Sequence, residues 1–109
     1  MQNISKIEHI RELLRADFDA DRTDQDFLLH YLQVNLSELA KAIRTALTAK
    51  DWSRLAEHGL FIEGVGRNLD ISDVTEAGHL FRELADKEDA ENIRRVLSKF
   101  TAIVEEIGG

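Results

Sequence analysis

The chain of 109 residues has no cysteine and no proline. Without cysteine, disulfides, thiolate zinc sites and cysteine nucleophiles are excluded, so an apolar core alone has to hold the fold. Without proline, and with six glycines that gather into no linker, no segment reads as a break between domains. Long apolar runs are also missing: none approaches the ~18 residues of a membrane span. The polar opening MQNISKIEH has no signal-peptide core, and the expectation is a cytoplasmic protein. Positive charge is in deficit, 14 Lys and Arg against 21 Asp and Glu for a net charge of −7, and no basic stretch is interleaved with aromatics. Such a surface disfavours binding to a nucleic-acid backbone.

What is present is apolar residues at helical spacing. Hydrophobic residues make up 43% and charged residues 32%, enough for one globular core in one domain, residues 1–109. A short first helix is expected from Ser5 to Leu14, opened by the capping box Ser5-x-x-Glu8, with Ile7, Ile10 and Leu14 inward. Arg15 to Arg22, rich in aspartate, is expected to loop, with Phe18 as an anchor. A second helix starting near Thr23 carries the stripe Leu28, Leu32, Leu36, Leu39, Ile43, Leu47. Asp51, Ser72 and Asp89 are candidate N-caps for three more. Their inward stripes are Leu55, Gly59, Ile62, Gly66, Leu69; then Val74, Ala77, Phe81, Leu84; then Ile93, Val96, Phe100, Ile103, Ile107. Short connections between amphipathic helices favour antiparallel neighbours, so the expected fold is all-α: an antiparallel four-helix bundle with a short additional N-terminal helix.

The third of these helices breaks its own pattern. At ~100° per residue, Leu60 falls about 200° around from Ile62 and faces outward. Glu57, Gly64 and Arg67 share that outer face, with Phe61 and Glu63 at its flanks. A helix-interior glycine costs roughly 1 kcal/mol against alanine. Gly59 and Gly66 lie on the inward stripe, where close packing needs small residues, but Gly64 has no such reason.

The segment DWSRLAEHGLFIEGVGRNL resembles the phosphoacceptor helix of the histidine-containing phosphotransfer (HPt) domains of bacterial phosphorelays, whose motif is roughly H-x-L-K-G. The likeness rests on Asp51-Trp52 at the helix start, Gly59 before the acceptor, Ile62 at the motif leucine, Gly64 at its glycine and Asn68-Leu69 near the end. This register puts Leu60 at the phosphoacceptor position and Glu63 at the lysine. The resemblance implies a bundle that docks on a response-regulator receiver domain or a histidine kinase. The two departures imply a degenerate member, because leucine has no nucleophilic nitrogen and glutamate opposes phosphoryl charge. The expected partner face is Glu57, Leu60, Phe61, Glu63, Gly64 and Arg67, with no cofactor or metal. A competing register makes His58 the acceptor, since His58-Gly59-Leu60 reads H-x-L; it misplaces Asp51-Trp52 and Asn68-Leu69 and sets His58 on the flank of the buried stripe. A third alternative is a self-association module outside signalling.

Three other features carry less. Glu76-x-x-His79 matches one piece of a di-metal bundle but lacks its second copy and reads as a surface pair. The aspartates from Asp17 to Asp26 lack the glycine and terminal glutamate of a calcium loop. Trp52 is expected to pack over a helix end.

Overall fold

The computed structural model describes residues 6–108. Ser5, and with it the first capping box, lies outside them. Five helices follow in order: α1 (Lys6–Phe18), α2 (Arg22–Thr48), α3 (Trp52–Asn68), α4 (Ser72–Asp86) and α5 (Ala90–Gly108), with no strand among the described residues. The neighbouring pairs are α2 with α3, α3 with α4, α4 with α5 and α5 with α2, while α1 lies against α2 and α5. The fold is therefore all-helical, and these neighbours are compatible with a four-helix bundle.

Each connection is three residues long and turns through one non-glycine residue in the left-handed region: Asp19, Lys50, Asp70 and Glu88, with φ between 51° and 54°. After α2, α3 and α4 the turn closes with a pair of bonds. The Lys50, Asp70 and Glu88 amides donate to carbonyls three residues back, and those of Asp51, Ile71 and Asp89 to carbonyls five back. The residue that closes one helix then starts the next. Asp51 accepts from the Arg54 amide at 3.2 Å and Asp89 from the Asn92 amide at 3.2 Å. The Asn92 side-chain amide and backbone N–H hold the Asp89 carboxyl below its ordinary range.

Several expected boundaries shift. The expected loop from Arg15 to Arg22 shrinks to Asp19, Ala20 and Asp21, since α1 runs on to Phe18, and the cap of α2 is Asp21, whose carboxylate accepts from the Asp24 amide at 2.9 Å. Phe18 is 67% exposed and anchors nothing. Ser72 is the first residue of α4, whose cap position is held by Ile71 without a side-chain bond.

The core is continuous through all five helices and is centred on Leu36, Ile43, Leu55, Ile62, Phe81, Ile93 and Phe100. Phe81 and Phe100 meet edge to face with centroids 5.9 Å apart. The stripes are shifted by one residue in places. Ala85, Leu97 and Val104 are buried where Leu84, Val96 and Ile103 are half-buried, and on α2 Leu28, Leu32 and Leu39 remain half-buried.

The length of α2 explains that last departure. Its 27 residues span about 40 Å at ~1.5 Å per residue, against about 25 Å for the 17 residues of α3. The first part of α2 therefore overhangs α3 and rests on α1. Salt bridges from Lys6 to Asp73 (2.9 Å) and from Arg11 to Asp26 (2.6 Å) pin α1 to the start of α4 and to α2, and the His9 ring meets the Asp70 carbonyl at 2.8 Å.

Candidate functional site

Helix α3 presents a different chemistry on each side. Toward α4, glycines bring backbone against backbone: a Cβ added to Gly78 would lie 2.3 Å from the Glu63 amide nitrogen, and one added to Gly66 would lie 2.3 Å from that of Thr75. Gly59 is bounded by the Gly78 carbonyl at 2.9 Å. The inward glycines of α3 thus have the packing role their positions imply, and Gly78 is the matching residue on α4.

On the outer side, Leu60 is 56% exposed and Phe61 67%, with Glu57 and Arg67 also exposed. Gly64, one turn after Leu60, is open: a Cβ there would meet nothing within 4 Å. Leu60, Phe61 and Gly64 therefore form an apolar projection beside uncovered backbone. His58 is half-buried, on the flank of the buried stripe.

Glu63 does not belong to this face, which corrects its expected place at the flank. Its side chain is 7% exposed, lies against α4 and pairs with Arg82, with Arg67 at 3.2 Å and with the His79 ring at 3.8 Å. The cause is the glycine crossing, which draws α4 over a position only about 40° from Gly59. Two guanidiniums then satisfy the covered carboxylate, as a buried charge requires. Arg67 is turned partly to that pair and not wholly to the outer surface. His79 also faces Glu83 at 3.5 Å, so its neighbours are Glu63 and Glu83 and not Glu76.

The side of α3 toward α2 is open. An apolar groove of about 690 Å³ runs between α1, α2 and α3, floored by Ile10, Leu32 and Leu36 and edged by Tyr31, Phe61 and Val65. Phe27 and Tyr31 stack beside it with centroids 6.5 Å apart and are 68% and 60% exposed. The sequence reading did not include them. Their signal was a second apolar row on α2, Phe27, Tyr31 and Val34, about 100° from the Leu28 stripe.

No family model matches the chain, and no curated protein or solved structure matches it.

Proposed function

We propose that this chain is a pseudo-HPt binding module: an antiparallel bundle of α2 to α5, flanked by α1, that docks on a receiver domain or a histidine kinase without accepting phosphate. The observation that carries this reading is the outward Leu60 beside the open Gly64, at the two places where an HPt helix has its acceptor histidine and the glycine that clears access to it. Phe61, the groove and the Phe27–Tyr31 stack extend that face across α3 and α2. Adjoining exposed apolar residues mark interaction surfaces more often than singly scattered ones do. Covering what remains exposed of Leu60 and Phe61, 56% and 67%, is worth roughly 1–2 kcal/mol each, so the face binds through apolar area where an HPt histidine would act through its imidazole. Glu63 supports the loss of transfer in a second way. A carboxylate stands at the lysine position, so no ammonium is there to stabilise a phosphoryl group, and its pairing with Arg82 and Arg67 holds it in the seam with α4.

The direct test is incubation with phosphorylated receiver domains and with histidine kinases, reading complex formation and transfer together. Saturable binding without acid-labile phosphate on this chain is expected. Absence of binding to every receiver and kinase would reject the proposal. Phosphate that appears on the wild type and is lost in His58→Gln would establish the active alternative. A mass that rises with concentration, in the absence of any signalling partner, would favour self-association through the same apolar face.

A further inference from the structure

Of the fourteen lysines and arginines, nine have a carboxylate within 4.0 Å among the described residues. Five do not, and three of those, Arg44, Lys50 and Arg94, line a single cleft between the end of α2 and the start of α5. In a chain of net charge −7 carboxylates are plentiful, yet only Glu88 shares this cleft. Its apolar wall is Leu47, Leu97 and the half-buried Trp52. The cleft holds about 740 Å³, within the ~300–1,000 Å³ of small-molecule sites; Arg44 and Arg94 also line a neighbouring hollow along α5, where Glu105 is the one carboxylate. No hydrogen-bond partner occupies the Trp52 indole N–H among the described residues, so the site is rich in donors: two guanidiniums, an ammonium and an indole.

We propose that this cleft binds a small organic polyanion with a flat apolar group, of the nucleoside diphosphate kind. The guanidiniums take the phosphates in the bidentate fashion available to arginine, and Lys50 adds a point charge. The Trp52 ring and the two leucines take the flat group, with Glu88 the single charged acceptor near it. With so few acceptors the cleft reads charge and shape more than base identity. The site lies at the Trp52 end of α3, apart from the outer face around Leu60, and it stands or falls independently of docking there.

Trp52 is the only tryptophan, so its fluorescence reports on this cleft alone. Titration with ADP, checked by calorimetry, is expected to change Trp52 emission saturably with a Kd below about 1 mM. Adenosine and inorganic phosphate should each bind at least tenfold more weakly than ADP. Arg44 and Arg94 are exposed and unpaired, so Arg44→Gln/Arg94→Gln should melt like the wild type and bind ADP at least tenfold more weakly. Leu60→Asp should bind it unchanged. The proposal is overturned by absent saturation at about 1 mM, by undiminished ADP binding in the double arginine variant, or by loss of binding in Leu60→Asp, which would place the ligand at the outer face of α3. Binding of a glutamate-rich, phenylalanine-containing peptide at Trp52 where ADP fails would likewise overturn it, and assign the cleft to a protein segment.

Discussion

Along α3, the side turned to α4 and the side turned to α2 are made from different residues and do different things. Toward α4 the contact is glycine on backbone, with Gly59, Gly66 and Gly78 removing the side chains that would hold the helices apart and Glu63 tied to Arg82 across the seam. Toward α2 the residues are large, Phe61, Val65 and Leu69 facing Leu28, Leu32 and Leu39, and they leave a groove where they do not interlock. A close seam fixes α3 as a rigid platform, while an open seam leaves apolar area for another molecule. The lesson is that small residues at one interface of a helix set how rigidly the opposite interface can be offered.

The largest effect should come from reversing charge in the close seam. HPt resemblance alone would suggest that Glu63→Lys restores a lysine useful for transfer, but this side chain is 7% exposed and faces two guanidiniums. An ammonium there loses its solvation and meets like charges, so the variant should lose about 4 kcal/mol of stability in urea unfolding. Unchanged stability would mean that Glu63 is not held in the seam. It follows that Leu60→His should be tested for gained phosphate in the Glu63 background, where the helix remains in place.

Next in size is Gly78→Ala. Its Cβ would sit 2.3 Å from a backbone nitrogen and 2.5 Å from the Gly59 carbonyl, and neither can swing aside as a flexible side chain can. Separating the helices should cost about 3 kcal/mol and lower the melting temperature by roughly 15 °C for a domain of this size. A melting point within a few degrees of wild type would show that α3 and α4 do not cross so closely.

These two positions also mark where the sequence could and could not be read. The helices, their order and the outward Leu60 follow from the 3.6-residue period, and the roles of Asp51 and Asp89 from their short polar side chains at helix starts. Glu63 was not legible, because its burial depends on how closely a neighbour crosses, and that closeness is set by Gly78 on another helix. The α2 groove was hidden for a related reason. The stripe Leu28, Leu32, Leu39 gives the side that prefers burial, but whether α3 is long enough to cover it is a tertiary matter. Short connections were expected and are found, but how they turn was not legible, since left-handed Asp19, Lys50, Asp70 and Glu88 take a conformation in which glycine is the usual signal.

On the open side, Leu60→Asp should affect binding and not folding. The residue is 56% exposed and outside the core, so thermal melts should stay within about 0.5 kcal/mol of wild type. The proposed docking on a receiver should weaken by at least ~1.5 kcal/mol in calorimetry, because a desolvated carboxylate replaces apolar contact. If the variant unfolds, Leu60 belongs to the core and the register is wrong; if it folds and binds a receiver normally, the outer face is not the interface.

The smallest effect sharpens the comparison most, because it sets a glycine on the outer face of α3 against one in the close seam. Gly64→Ala meets no atom within 4 Å, whereas the same change at Gly78 meets backbone. With no steric penalty, alanine should raise stability by about 0.8 kcal/mol through helix propensity, opposite in sign to Gly78→Ala. A glycine retained for the fold would show no such gain. The added methyl lies one turn from Leu60, on the backbone patch over which the proposed partner would approach, so if that proposal holds the stabilised protein should dock several-fold more weakly. Melting and calorimetry on the one variant thus separate two explanations of Gly64: higher stability with weaker binding assigns the glycine to docking, while higher stability with unchanged binding leaves the open backbone without a part in the interface.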